Sequence, residues 1–133
     1  MIAEFGHFLI ALALAASLAQ TGLGWFGAKR PALGRASGAA AEVALTASVA
    51  AMLLLIAALV RSDFSIEYVA GHSHIDKPLF YKIAAAWGGH EGSMLLWCWI
   101  LALFGWGLAK IGPLEPALRA RSVSFQGLLQ TLF

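Results

Sequence analysis

Hydrophobic residues in this chain fall into three long blocks, which short stretches of polar and turn-forming residues separate. The blocks cover residues 5–26, 39–60 and 83–109, each bound being approximate. At a rise of about 1.5 Å per residue, each block is long enough as an α-helix to cross a hydrocarbon core of about 30 Å. The pattern therefore predicts three complete transmembrane helices.

The polar stretches predict where these helices stop. Residues 29–38 contain Pro31, Gly34 and Ser37 beside three basic residues, a composition that predicts a first loop. Residues 61–82 mix acidic residues, histidines and turn residues, and they predict a longer second loop. The chain is thus expected to pass through the membrane as a series of helices with polar connections.

A fourth apolar segment is incomplete. Lys110, Gly112 and Pro113 end the third block, and residues 117–133 form only a partial fourth span. Its uncharged part begins at Ser122 and is shorter than the roughly 17 residues that a crossing requires. We therefore predict an all-α integral membrane fold with three complete transmembrane helices and a truncated fourth, and expect residues 1–133 to be a single membrane-domain fragment.

Composition supports this class of protein. Hydrophobic residues make up 60% of the chain and charged residues only 12%, against roughly 25% charged residues in soluble domains. The net charge of +2 comes from scattered basic residues, so we expect membrane lipid around the chain and no nucleic-acid partner. The single cysteine, Cys98, excludes an intrachain disulfide and a cysteine metal cluster. The opening residues contain Glu4 and no lysine or arginine, which argues against a cleaved signal peptide.

The distribution of basic residues predicts the orientation. The first loop and the region after the third block hold six, namely Lys29, Arg30, Arg35, Lys110, Arg119 and Arg121. The second loop and its edges hold three, namely Arg61, Lys77 and Lys82. Because basic loops stay on the cytoplasmic side, the amino terminus and loop 61–82 are expected on the outer side.

The most informative stretch is Trp87–Trp97, where polar residues and glycines interrupt the third block. On one continuous helix, a common face holds Trp87, His90, Glu91, Met94 and Cys98, with Trp97 at its margin. A second face is almost free of side chains and holds Ala85, Gly88, Gly89 and Gly92. Such a strip favours close packing against another backbone.

Two interpretations of His90 and Glu91 remain open. A carboxylate in the hydrocarbon costs about 2.5 kcal/mol or more, so Glu91 is expected to face protein or water and to find a partner on another helix or in the second loop. Either the pair locks helices together, or a face of Trp87, His90, Glu91 and Trp97 contacts a cofactor or a quinone-like ligand.

Other site chemistry is not predicted. His72 and His74 have a spacing that suits a metal in an extended segment, but no third ligand lies near them in the sequence. No nucleophile elbow, phosphate loop or dinucleotide fingerprint occurs in a strand–turn–helix context. We therefore assign no catalytic residue and no metal site.

Several of these residues resemble a known family. Asp63-Phe64-Ser65, Tyr68-Val69-Ala70, Pro78, Tyr81-Lys82-Ile83-Ala84 and the stretch Trp87–Trp97 together resemble the amino-terminal region of the CcmF family, a haem lyase subunit of cytochrome c maturation. The relatives that serve nitrite reductase cytochromes, the NrfE proteins, share this pattern. His72 and His74 depart from it, because the family loop more usually has small polar or amide residues there.

The resemblance implies a function for the longer family protein. That protein is a multi-pass protein of the bacterial inner membrane, with the amino terminus and loop 61–82 on the periplasmic side. It attaches haem covalently to apocytochrome c with a haem chaperone, a thioredoxin-like subunit and an apocytochrome-holding subunit. Its haem-handling residues lie in later segments, so we expect no haem ligation by Trp87, His90, Glu91 or Trp97 and no activity of this fragment without the remaining CcmF helices. The alternatives are a small structural or interaction subunit and a quinone- or proton-handling subunit.

Overall fold

The computed structural model describes all 133 residues of the chain and contains α-helices, one 3₁₀ turn and no β-strand. The helices are α1 (Ile2–Gly27), α2 (Pro31–Arg61), α3 (Glu67–His72), α4 (Leu79–Ala84), α5 (His90–Lys110) and α6 (Pro116–Leu132), and the 3₁₀ turn covers Ala85–Trp87. By length and composition, α1, α2 and α5 could each cross a membrane. The predicted all-α membrane fold with three spanning helices is confirmed, while the membrane boundaries along each helix stay predictions.

The four long helices form a bundle with two different ends. At one end α1 begins, α2 ends, and α3, α4 and the 3₁₀ turn connect α2 to α5; we call this the loop end. At the other end α1 and α5 end while α2 and α6 begin; we call this the basic end. The basic end holds the six basic residues that the sequence places outside the second loop.

The first connection is shorter than predicted. Residues 29–38 were expected to form a loop, but α2 already begins at Pro31. Proline suits the first position of a helix, because its fixed φ is helical and the N–H it lacks would have no partner there. Gly34 and Ser37 then lie inside α2 and serve its packing: a Cβ on Gly27 would lie 2.6 Å from the Gly34 nitrogen, and the Ser37 hydroxyl donates to the Gln20 carbonyl at 2.8 Å.

Small side chains on α2 allow the other helices to approach it closely. The buried residues along its middle are mostly alanine, namely Ala41, Ala44, Ala47, Ser48 and Ala51. α2 packs against α1 on one side and α5 on the other. Between helices in lipid, where apolar surface gains little from association, such close backbone approach supplies much of the attraction.

A chain of glutamines joins α6 to the bundle. The Gln20 amide of α1 is fully buried and donates to the Gln126 side-chain oxygen at 2.6 Å and to the Val123 carbonyl at 2.9 Å. The Gln126 amide in turn donates to the Leu101 carbonyl of α5 and, at 3.4 Å, to the Gln130 side chain. α6 is therefore bound to both α1 and α5 by buried polar groups.

Glycines make room for these glutamines. A Cβ on Gly105 of α5 would overlap the Gln126 side chain and would lie 3.1 Å from the Gln20 amide nitrogen. A Cβ on Gly127 of α6 would lie 2.9 Å from the Thr21 hydroxyl and 3.0 Å from the Ser17 carbonyl. The glutamine chain and the glycine contacts thus depend on one another.

We predict that Gln126→Ala weakens the attachment of α6. The substitution leaves a buried Gln20 amide and the Leu101 carbonyl with fewer partners, which is expected to lower the free energy of unfolding by about 1–2 kcal/mol. Circular dichroism during unfolding in mixed micelles measures the change. The control is Leu129→Ala on the exposed side of the same helix, and an equal loss in both variants would contradict the prediction.

Candidate functional site

The stretch Trp87–Trp97 lies at a sharp break in the chain, and the prediction of one continuous helix from Ile83 is wrong. α4 passes into the 3₁₀ turn, which ends at Trp87, and α5 begins only at His90. Gly88 and Gly89 lie between them, and Gly89 has an extended conformation with φ −107° and ψ 170°. Two adjacent glycines weaken a helix because each has more backbone freedom to lose than any other residue. We call residues 85–92 the corner.

Tyr68 of α3 holds the corner in place. Its hydroxyl accepts the Gly89 N–H at 3.0 Å and donates to the Ala85 carbonyl at 2.9 Å. The first bond satisfies the Gly89 N–H, which the helix break leaves without a backbone partner, and the second adds to the bond that the Ala85 carbonyl already accepts from the Gly88 N–H. Burial raises the pKa of Tyr68 above its usual 10.0, so the phenol keeps the proton that it donates to Ala85 at neutral pH.

His72 packs against Tyr68, and we call these two residues the clamp on the corner. Its ring stacks on Tyr68 with the centroids 4.2 Å apart and the planes at 17°. Its Nδ1 forms a hydrogen bond with the Tyr68 carbonyl at 3.0 Å, and Lys77 donates to the His72 carbonyl at 2.8 Å. His72 therefore orders the second loop, and His74 lies exposed on the surface. No group of three or more histidine, cysteine, aspartate or glutamate side chains could hold a metal ion.

The glycine strip of the sequence packs against this clamp, with one exception. A Cβ on Gly92 would overlap the Ala86 carbonyl oxygen and lie 2.5 Å from the Tyr68 hydroxyl. A Cβ on Gly89 would lie 2.6 Å from His72 Nε2 and 2.8 Å from the Tyr68 ring. At Gly88, by contrast, the nearest atom would be 3.6 Å away. The close packing expected of this strip occurs within the corner and against α3, and Gly88 takes no part in it.

The four predicted site residues lie on the exposed side of the corner and of α5. Trp87 is 45% exposed and Trp97 is 53% exposed. His90 and Glu91 are also exposed, and no side chain of this chain forms a hydrogen bond or ion pair with either side chain. Because Trp87 belongs to the 3₁₀ turn and the other three to α5, they do not form the single helical face predicted for them.

Glu91 borders a cavity of about 240 Å³ at the loop end. His7 of α1 also lines it, and Tyr68 and Gly92 form part of its wall. The remaining lining is mainly aliphatic, with Ile2, Ile10, Leu54, Leu55, Ile66 and Leu95. The arrangement places one carboxylate and one imidazole beside an apolar space, although the two groups are not in contact.

Sequence reasoning did not single out Tyr68 as a site residue. Its hydrogen-bond partners Ala85 and Gly89 are 17 and 21 residues away in the chain. A local pattern of glycines does not reveal which distant hydroxyl will bond to it. The one usable signal was the pair Gly88 and Gly89 inside an apolar block, since glycine marks helix breaks and close approaches.

Comparisons with known proteins give consistent matches, although no protein-family model matches the chain. The cytochrome c-type biogenesis protein Ccl1 of Rhodobacter capsulatus is 43% identical over 144 residues, which cover all of this chain and 21% of that protein. The cytochrome c-type biogenesis protein NrfE of Haemophilus influenzae is 40% identical over 106 residues, covering 78% of this chain and 17% of that protein. The chain spans about a fifth of the length of the relatives it matches.

A solved structure agrees with these relatives. The structure of the cytochrome c haem lyase CcmF has a TM-score of 0.92 with this chain at 30% sequence identity. The match covers 98% of this chain and 22% of that one. The helix arrangement described above, including the corner, therefore lies almost wholly within the matched part.

We predict that Gly92→Ala disrupts the corner whereas Gly88→Ala is tolerated. The added methyl group at position 92 overlaps a backbone carbonyl that cannot move without shifting the 3₁₀ turn, which is expected to cost about 1–3 kcal/mol or more. The methyl group at position 88 makes only ordinary van der Waals contacts, the nearest at 3.6 Å. Thermal unfolding in micelles, together with protease cleavage in loop 61–82, compares the two variants. Equal behaviour of both would show that the corner is not packed as described.

Proposed function

The chain is a homologue of the CcmF, CycK and Ccl1 cytochrome c-type biogenesis proteins, and we propose that it supplies the amino-terminal helices of such a protein. In this proposal it acts in the covalent attachment of haem to apocytochrome c. The observation that carries it is the match of nearly the whole bundle to the haem lyase CcmF at a TM-score of 0.92. NrfE proteins match as well, so the proposal covers the cytochromes c of the CcmF proteins and the nitrite reductase cytochromes of the NrfE proteins.

We propose that this segment supports the remaining helices of the complete protein and contributes no catalytic residue. Haem in this proposal is held by later segments of the complete protein, and this segment is inactive by itself. The remaining helices would cover the large apolar side chains that α1 and α5 leave exposed, among them Phe8, Leu14 and Phe104. Membrane lipid would cover the rest.

The corner is the proposed contact surface. Trp87, His90 and Glu91 are exposed on the corner and Trp97 is exposed further along α5, and neither His90 nor Glu91 has a side-chain partner in this chain. Exposed tryptophans beside unpaired polar groups are typical of surfaces that bind another protein or a large ligand. We propose that this surface meets the remaining CcmF helices and takes part in contact with the haem chaperone, the thioredoxin-like subunit, the apocytochrome-holding subunit and apocytochrome c.

The proposed location is the bacterial inner membrane, with the loop end on the periplasmic side. The charge difference between the two ends of the bundle supports it: six basic residues lie at the basic end, against three in and beside loop 61–82. In that orientation the corner faces the compartment in which cytochromes c receive haem in this family.

We predict that residues 1–133 can replace the matching segment of Ccl1. The chimaera, produced in a Rhodobacter capsulatus strain without Ccl1, is expected to restore holocytochrome c, measured by haem staining and absorbance. The 133-residue chain produced alone is expected to restore none and to purify without stoichiometric haem.

Two results would count against the proposed function. A chimaera that accumulates normally but yields no holocytochrome c would favour a separate interaction subunit. A Soret band of one haem per isolated chain would overturn the assignment of haem binding to later segments. Ccl1 from which the segment is deleted is the negative control.

We also predict that, within the chimaera, Glu91→Gln lowers holocytochrome c severalfold while the amount of chimaera stays constant. The carboxylate is exposed and has no partner in this chain, so its loss does not disturb the bundle itself. The matched control is Glu67→Gln, an exposed glutamate on α3 at the same end. If the amount of chimaera falls in parallel with holocytochrome c, Glu91 only locks helices together.

A further inference from the structure

A second and larger cavity lies at the basic end, far from the corner. It has a volume of about 500 Å³ and is enclosed by the last turns of α1 and α5 and the first turns of α2 and α6. Its floor is made of very small residues, including Gly27, Gly34, Gly38, Ala39, Ala109 and Ala120. These residues carry little or no side chain, so the basic side chains are the largest polar groups that line the cavity.

Three basic side chains line this cavity, and two of them have no acidic partner. Lys110 forms an ion pair with Glu42 at 3.2 Å. Arg35 and Arg119 form no ion pair. An unpaired guanidinium in a concave site is a strong attractor for an anion, because it offers several N–H donors in a fixed plane.

Arg119 lines the cavity and is anchored by a contact of its own. Its Nη2 donates to the Gly112 carbonyl at 2.6 Å, which fixes the side chain. Its Nε is buried and has no hydrogen-bond acceptor. Buried donors are nearly always paired in native structures, so Arg119 keeps hydrogen-bonding capacity that the chain itself does not use.

The helix ends alone do not explain an anion site here. α2 and α6 bring their positive ends to the cavity, but α1 and α5 bring their negative ends to the same place. These contributions largely offset one another. The attraction for an anion therefore depends on the two arginines.

The residues around the cavity are of the kinds that lie at a membrane surface. Trp25 and Phe26, in the last turn of α1, are 64% and 66% exposed, as expected for an aromatic belt at the membrane surface. The walls contain apolar groups, including Ala28, Pro116 and Val123, beside the arginines. A glycerol backbone and upper acyl chain can cover those walls, whereas a free phosphate ion cannot.

We infer that this cavity binds the phosphate group of an anionic phospholipid, with Arg35 and Arg119 as its ligands. Basic pockets between transmembrane helices on the cytoplasmic side commonly bind anionic lipid headgroups. The inference does not depend on the proposed role in cytochrome c biogenesis, because it uses only the geometry and charge of the basic end.

The test measures lipid retention by the whole chain in nanodiscs of phosphatidylcholine with a minor share of phosphatidylglycerol. Native mass spectrometry is expected to show retained phosphatidylglycerol on the unaltered chain. The double variant Arg35→Gln/Arg119→Gln is expected to lower the affinity by about tenfold or more, because it removes both guanidinium contacts to the phosphate group.

A matched variant controls for net charge. Arg30→Gln/Arg121→Gln removes the same charge from the same two regions, but neither residue lines the cavity and both are exposed. It is expected to retain phosphatidylglycerol as the unaltered chain does. An equal loss of phosphatidylglycerol in both double variants would show that net charge attracts the lipid without a specific site, which would overturn the inference.

Two further arms identify other occupants. Inorganic phosphate in place of phosphatidylglycerol is expected to give no binding, and binding of phosphate with the same dependence on Arg35 and Arg119 would reject the lipid. The same measurement on the Ccl1 chimaera is expected to give the same retention. Loss of retention there would show that the remaining helices fill the cavity, which would also overturn the inference. Circular dichroism of each variant verifies that it is folded.

Discussion

The bundle depends on close approach between helix backbones, because lipid supplies little hydrophobic force to bring helices together. Gly27 meets Gly34 where α1 turns into α2, and the alanines along α2 let both α1 and α5 come near. Close approach alone does not fix the register in which two helices pack, whereas the hydrogen bonds of the glutamine chain do. Gln20 and Gln126 can make their hydrogen bonds only when α1, α5 and α6 lie in one register.

The same constraint produces the corner. α5 can reach the loop end beside α3 only where Gly89 and Gly92 leave space for the Tyr68 hydroxyl and the Ala86 carbonyl. The helix break at Gly88 and Gly89 frees the Gly89 N–H, which the Tyr68 hydroxyl accepts while it donates to the Ala85 carbonyl. The exposed surface that includes Trp87 and Glu91 therefore has its shape set by buried contacts on the other side of the corner.

Hydropathy and charge were sufficient for the fold class and the three spanning helices, because both follow from average properties of long segments. They failed at Pro31 and at Gly88, where one residue decides whether a helix begins or breaks. A proline can either begin or interrupt a helix, and a pair of glycines can either break a helix or lie within it. The residues that pack against them determine which of these occurs. The candidate site was likewise only partly predictable. The stretch Trp87–Trp97 is recognisable from its local sequence, but the role of Tyr68 depends on contacts with residues far along the chain.

The glutamine chain also has a consequence for the order of assembly. α6 carries two arginines and two buried glutamines. Gln126 bonds to Gln20 of α1 and to the Leu101 carbonyl of α5, and both of these helices precede α6 in the chain. During synthesis these hydrogen bonds can therefore form only once α1 and α5 are in place, so the earlier helices act as a template for the docking of α6.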